Sequence, residues 1–292
     1  MMFSCIAKLL GFKKSPEPFL TLQQRNATFK SNSLRGVNFA SGGSGILNDT
    51  GRAFHEVVSL GEQIQQFEIV AGNINETLGP DAANDLLSNA LFLISAGSND
   101  IFDYQRSNGG GISTDTLLTN LRDNYTIYLK HLYELGARKF GIISVPPIGC
   151  CPFERYANTI VNGGLGCFDE MNQLALAFYS SIEALLREFS TQFPGVKYSL
   201  GNTYNMTIPI INNPYTFGFK YAEEACCGSG PFNGQYECNI SSNLCPNRKD
   251  YLFWDWFHPT QAVSKLAALT LYYGSIDYTS PMNLSQLVLP DI

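Results

Sequence analysis

The chain has 292 residues, 45% of them hydrophobic and 15% charged, with a formal net charge of −6. That length suits one large domain with a substantial core, spanning 1–292. The negative charge argues against nucleic acid and anionic membrane surfaces as partners. No run of about 18 apolar residues occurs, so no membrane-spanning helix is expected.

Met1 to Leu10 is a short apolar, helix-like piece broken by Lys8, without the length or small-residue cleavage site of a secretory signal. Lys13-Lys14-Ser15-Pro16-Glu17-Pro18 reads as loop. Gly36 to Ala40 is a short strand running into Ser41-Gly42-Gly43-Ser44-Gly45. Those glycines free the backbone either to aim N–H groups at a ligand or simply to make a tight turn. Leu60, Ile64, Phe67 and Val70 have helical spacing, and Pro80 to Leu87 predicts a further helix. Ala90 to Ala96 is an apolar run of strand length, suited to the centre of a parallel sheet, and ends in Gly97-Ser98-Asn99-Asp100.

Thr114 to Gly136 predicts a long helix with Gly136 as its stop signal. Lys139 to Val145 is a second buried strand, ended by Pro146-Pro147. Phe168 to Phe193 predicts another long helix, Val196 to Leu200 a third strand, and Tyr204 to Ile211 one more helix. An irregular stretch rich in Cys and Gly, 226–248, leads to Tyr251-Leu252-Phe253-Trp254. Alternating strands and helices imply a doubly wound α/β sheet with ligands at the carboxyl ends of the strands. The loops Gly42–Gly45, Gly97–Asn99 and Asp255–His258 each follow a strand candidate, so all three are expected at one edge of the sheet.

The chemistry concentrates in Trp254-Asp255-Trp256-Phe257-His258-Pro259. A carboxylate three residues before an imidazole can fix its tautomer while the imidazole takes a proton from a nucleophile. The alternative is an Asp that merely caps the following helix beside an uninvolved His. Pro259 suits the first position of a helix running through Gln261 to Tyr273. The other histidines, His55 and His131, have no evident partner and read as surface or helix-face residues.

Eight cysteines stand at 5, 150, 151, 167, 226, 227, 238 and 245. No Cys-x-x-Cys occurs and no His clusters with them, which argues against zinc, so no metal or cofactor is expected. Sequons begin at Asn26, Asn48, Asn75, Asn124, Asn205, Asn239 and Asn283. Chance would give roughly three, so the excess points to a secreted, glycosylated chain.

Five ordered blocks resemble the plant-type GDSL esterase/lipase family of the SGNH hydrolase superfamily. They are Gly36-Val37-Asn38-Phe39-Ala40-Ser41-Gly42-Gly43, Gly97-Ser98-Asn99-Asp100, Pro146-Pro147-Ile148-Gly149-Cys150, Ala225-Cys226-Cys227-Gly228, and Tyr251 to Asp255 with His258-Pro259-Thr260. The resemblance covers nearly the whole chain. It implies a three-layer α/β/α, mainly parallel sheet and hydrolysis of acyl or lipid esters. It also implies His258 as general base, Asp255 as its orienting carboxylate, and Gly42 (backbone N–H) and Asn99 (side-chain amide) as oxyanion-hole donors. Cys226, Cys227, Cys238 and Cys245 resemble a family disulfide cluster. Cys150 or Cys151 would pair with Cys167, leaving Cys5 unpaired.

The chain departs from the family in one respect. Neither the family's Gly-Asp-Ser, which supplies the nucleophile, nor a Gly-x-Ser-x-Gly elbow occurs. The pattern is joined only at Ile6-Ala7-Lys8-Leu9-Leu10-Gly11, so Met1 to Cys5 read as substitute sequence in an N-terminally truncated chain. No nucleophile is identified; Ser41, Ser44 and Ser98 lie in the right loops but not at the family's nucleophile position. A non-catalytic relative that binds an ester or glycan is the alternative function. The resemblance further implies that the first central strand is missing between Val37–Ala40 and Leu91–Ala96. The flanking strands are then expected either to be left unpaired on one side or to move together.

Overall fold

A computed structural model describes residues 2–25, 28–54 and 56–289. His55 and the Asn26 sequon lie outside the described residues. The helices are α1 (Met2–Leu9), α2 (Phe19–Gln24), α3 (Phe29–Ser33), α4 (Leu60–Leu78), α5 (Pro80–Asn89), α6 (Ser98–Arg106), α7 (Thr114–Glu134), α8 (Pro152–Val161), α9 (Asp169–Gln192), α10 (Thr203–Asn212), α11 (Gln261–Tyr273) and α12 (Leu284–Leu287). The strands are β1 (Glu17–Pro18), β2 (Val37–Asn38), β3 (Leu91–Ser95), β4 (Lys139–Ile143), β5 (Lys197–Gly201), β6 (Tyr221–Ala225), β7 (Cys227–Gly228), β8 (Asn243–Leu244), β9 (Tyr251–Phe253) and β10 (Thr279–Ser280).

The central sheet has the order β10-β5-β4-β3. β3, β4 and β5 run parallel, with Phe92 opposite Phe140 and Ile142 opposite Leu200, and β10 closes one side antiparallel. Side chains alternate across the sheet as period two requires. Phe92, Ile94, Phe140 and Ile142 join the core formed with α4, α7 and α9. Leu91, Leu93 and Ile143 join a second core with Ile6 of α1, Ala268 and Leu271 of α11, and Leu284 and Leu287 of α12. Helices therefore cover both faces, giving the α/β/α layering.

The two faces differ in texture. On the α4/α7/α9 side the contacts are aromatic: Phe92 meets Phe140 at 6.0 Å between ring centroids, and Phe140 meets Phe189 at 6.1 Å. On the α11/α12 side the sheet presents Gly141 and Gly201. A Cβ at Gly201 would stand 2.1 Å from Leu271, and one at Gly141 2.9 Å from Leu284, so glycine is what lets those helices settle on the sheet.

β3 stands at the border of the sheet, the first of the two outcomes expected of it. Its apolar residues are half-buried rather than buried, because β4 is its sole strand neighbour among the described residues. β2 does not move in to pair with it, but pairs instead with β1, Glu17 opposite Val37. Both sides of the gap touch the same ring. Phe39, just after β2, lies 6.2 Å from Phe67 of α4, and Phe92 of β3 lies 5.0 Å from it. The aromatic layer is thus continuous where the hydrogen-bonded ladder is not.

Two further details correct the sequence reading and one adds to it. Pro259 is not the first helical residue: it bridges to Phe253, and Thr260 caps α11 by accepting from Val263 N at 3.5 Å. Met2 and Cys5 belong to α1 and pack on the second core. His131 has a partner, with Nε2 3.8 Å from the Glu68 carboxylate on α4.

Phe140 is fully buried between two aromatic neighbours. Phe140→Ala is expected to lower the unfolding free energy by about 3–5 kcal/mol, read as a drop in the urea midpoint at unchanged m-value.

Candidate active site

The site begins with a turn. β9 pairs with β6 in a small parallel sheet of its own, so the turn after it does not grow from the central sheet as expected. Trp254 N donates to His258 O at 2.7 Å, closing residues 254–258 into a loop. Inside it the Asp255 carboxylate gathers three donors: Phe257 N at 3.1 Å, His258 N at 2.9 Å, and His258 Nδ1 at 2.9 and 3.0 Å from its two oxygens. With Nδ1–H donating to the carboxylate, the basic lone pair resides on Nε2. The Asp255 side chain is 24% exposed and that of His258 74%, so the carboxylate is the sheltered partner and the imidazole faces outward.

Burial opposes the charge on Asp255, but the donors from His258 and Phe257 outweigh it and hold its pKa below the usual carboxylate value. The hydrogen bond to Asp255 lifts the His258 pKa above 6.5, against the opposing effect of burial. The imidazolium contribution to stability is therefore complete below the unfolded pKa and vanishes as pH rises through the folded one. The Asp255 contribution is present above the ordinary carboxylate pKa and is lost as pH falls through the depressed value.

The second component is the loop after β2. Ser44 N and Ser44 Oγ both donate to Ser41 O, at 3.3 and 2.8 Å, making a tight turn. Gly42 is exposed, with nothing within 4 Å of where a Cβ would be. Asn99, in the first turn of α6, donates one N–H from Nδ2 to Ser44 O at 2.8 Å. A primary amide has two such hydrogens, so a second remains for a ligand. Gly97 makes this approach possible: its φ is +117°, and a Cβ there would lie 2.6 Å from Phe178.

Asp100 holds this loop, a role not visible in the sequence. It is 2% exposed, and its carboxylate accepts from Ile46 N at 2.9 Å, Leu47 N at 2.9 Å and Thr50 Oγ1 at 2.7 Å. Burial raises its pKa, and those donors pull it partly back. Only glycine fits at 45, where a Cβ would be 2.5 Å from the Asp100 carboxylate. The available signal was the pairing of Gly-Ser-Asn-Asp with Ile46-Leu47-Asn48-Asp49-Thr50, a carboxylate and a run of backbone donors whose meeting depends on the fold.

Aromatic packing joins the two components. Phe257, between Asp255 and His258, lies 4.9 Å from Phe102 of α6 and 5.1 Å from Phe153 of α8. Phe153 N also donates to Trp256 O at 3.2 Å. The structure thus brings Gly42's loop and Asn99 into direct contact and ties the Asp255–His258 turn to the same helix through Phe102. The hydroxyls of Ser41 and Ser44 are engaged within the loop and its neighbours, by Val58 N and by Ser41 O. His258 Nε2 makes no hydrogen bond among the described residues.

Disulfides brace the turn from behind. Cys226 bonds Cys245, Cys227 bonds Cys238, and Cys150 bonds Cys167; Cys5 and the buried Cys151 are free. Cys226 N and Cys227 N donate to Phe253 O and Trp254 O at 3.0 and 2.8 Å, so the stapled segment grips the base of the turn. Paired in this way, the six cysteines are not available as zinc ligands.

Residues 5–271 match the family model described as GDSL-like Lipase/Acylhydrolase. The chain belongs to this family. Curated relatives from Arabidopsis thaliana agree. GDSL esterase/lipase At4g28780 is 36% identical over 88% of this chain and 71% of its own length. GDSL esterase/lipase At2g23540 is 34% identical over 97% and 73%, and GDSL esterase/lipase LTL1 36% over 89% and 72%. Family membership supports ester hydrolysis as the general activity, and the α/β/α layering expected from the motifs is the one found.

Beneath the turn lies an unusual group. Glu154, next to Phe153 in the first turn of α8, is fully buried, and neither carboxylate oxygen has a hydrogen-bond partner among the described residues. Burial raises its pKa to about 7, and Arg106 of α6 acts in the opposite sense.

Two outcomes follow for this region. Asp255→Asn is expected to bring the His258 pKa down from its raised value, measured by NMR titration of the imidazole protons. The Glu154 carboxyl stays neutral to about pH 7 when folded but ionises from 4.5 when unfolded, so the chain loses stability as pH rises through that window. The loss is on the order of 3 kcal/mol. Glu154→Met should remove this share, so that the gap between urea midpoints measured at about pH 5 and about pH 8 narrows to what His258 leaves.

Proposed function

We propose that this chain is built for carboxylic ester hydrolysis, on an acyl ester of a lipid or another small alcohol, with His258 as general base and Asp255 as its orienting carboxylate. Gly42 N–H and the Asn99 amide are the oxyanion donors. The observation that carries this reading is the Asp255–His258 pair: Nδ1 held at 2.9 Å, Nε2 left unbonded, and the imidazole exposed. A base so arranged removes a proton from an attacking hydroxyl or water. Two preorganised donors then stabilise the oxygen that becomes negative as the carbonyl turns tetrahedral, each worth about 3 kcal/mol of barrier.

The attacking group in this chain is water. No serine hydroxyl is bonded to His258 among the described residues, and without a covalent nucleophile the machinery retains only about 10³–10⁴-fold acceleration over water. That same observation favours a second reading, in which the chain binds an ester or glycan without turning it over. The substrate contacts would be the apolar and aromatic surface beside the turn. The sequons and the disulfides support a secreted chain, folded as one domain.

The test is hydrolysis of short-chain aryl esters by the 292-residue chain, with fluorophosphonate labelling in parallel. Slow hydrolysis is expected, lost in His258→Ala, with no stoichiometric serine label. A rate unchanged by His258→Ala would remove the base assignment. Stoichiometric labelling of any serine would overturn water as the nucleophile, and binding without hydrolysis would establish the second reading.

A further inference from the structure

The sequons differ sharply in what the fold does with them. An N-glycan needs an exposed Asn-x-Ser/Thr segment, and the finished glycan must leave the fold's own hydrogen bonds intact; the sequons differ in whether the fold keeps the amide carbonyl and the hydroxyl two residues on together. At Asn75 on α4 and Asn124 on α7 the helix turns that hydroxyl away: Thr77 Oγ1 donates to Asn73 O at 2.6 Å and Thr126 Oγ1 to Arg122 O at 2.8 Å. At Asn48 the hydroxyl is Thr50, buried against Asp100. At Asn205, in the first turn of α10, the middle residue of the sequon, Met206, is buried. Asn283 does receive the Ser285 hydroxyl at 2.7 Å, but it is half-buried. It caps α12 through Gln286 N and donates Nδ2 to Gly274 O at 3.0 Å.

Asn239 is the described sequon in which the hydroxyl reaches Oδ1 while all three residues are exposed; its Nδ2 donates to the nearby Glu237 O at 3.3 Å, a bond that the one N–H left after transfer can keep. Ser241 Oγ and Ser241 N donate to Asn239 Oδ1 at 2.8 and 2.9 Å, an Asx turn that presents the amide at the surface. Asn239, Ile240 and Ser241 are all exposed. The turn is held from both sides by covalent staples, Cys227–Cys238 immediately before it and Cys226–Cys245 around it. The surrounding surface is apolar, with Tyr236, Ile240 and Leu244 open to solvent. Exposed apolar side chains of this kind are an association risk that a bulky, solvated group would cover.

We propose that Asn239 is an N-glycan attachment site of this chain, and that the glycan shields the apolar tip of the stapled loop. This rests on the secreted reading above. In the transfer, Asn239 Nδ2 attacks C1 of a lipid-pyrophosphate-linked oligosaccharide. The C1–Nδ2 bond forms, the C1–O bond breaks, the lipid pyrophosphate departs, and Nδ2 gives up one proton. The hydrogen bond from Ser241 Oγ to Oδ1 favours the imidate-like form of the amide, in which nitrogen regains its lone pair.

The full chain, carried into the secretory pathway of a eukaryotic host by an appended signal peptide, is deglycosylated enzymatically in ¹⁸O water and mapped by mass spectrometry. Conversion of Asn239 to ¹⁸O-labelled Asp in most molecules is expected, abolished in Ser241→Ala and retained in Ser241→Thr. An unlabelled Asn239 in secreted chain, with or without label at other sequons, overturns the proposal, as does label that survives Ser241→Ala. Because the appended signal enforces entry, such a failure counts against the site and not against secretion. Secretion is decided separately by whether the chain is recovered from the extracellular fluid of its own source.

Discussion

A single buried carboxylate sets the geometry of the loop that carries the proposed oxyanion donors. Asp100 accepts two backbone N–H groups and a hydroxyl from the segment that follows Gly45. A buried charge is tolerable only when so satisfied, and the cost of leaving it unpaired makes the arrangement stiff. Since Asn99 is its immediate neighbour on α6, the anchor that fixes the loop also fixes the residue aimed at it. Loop and helix can shift together but not apart.

The base side is built on the same physical device. Asp255 collects the N–H groups of its own turn as well as the imidazole, so one carboxylate both shapes the loop and orients the ring. The two halves meet through Phe257, whose ring centroid lies 4.9 Å from that of Phe102 and 5.1 Å from that of Phe153. Backbone hydrogen bonds define each half, and dispersion between rings holds the halves in register. That division matters for the proposed mechanism, in which donors and base must stay within a fraction of an ångström of their working positions.

Much of this was legible in the chain. Helices with strong periodicity, such as Thr114–Glu134 and Asp169–Gln192, were found within a residue or two, because an amphipathic stripe depends on local order alone. The Asp255–His258 pair was legible for the same reason: its partners are three residues apart. What escaped was non-local. Asp100 reads as one more turn residue until the fold lays Ile46 and Leu47 against it. Glu154 reads as an ordinary helix-start carboxylate until packing removes its water. β9 was placed with the central sheet because strand-like sequence carries no record of which sheet it joins. β3 read as a central strand because Leu91 to Ile94 are apolar on both faces, yet it stands at a border.

That border has a physical consequence of its own. Leu91-Phe92-Leu93-Ile94-Ser95 carries neither the charges nor the proline with which sheet edges are commonly blunted. Its outer N–H and C=O groups form a ready template for an incoming extended segment, with flanking helices already in place on both faces. A strand of this composition, left uncapped, favours self-assembly in register along the ladder direction, as fibre-forming segments do. These five residues are therefore the part of the sheet with the strongest physical tendency to pair with another extended segment.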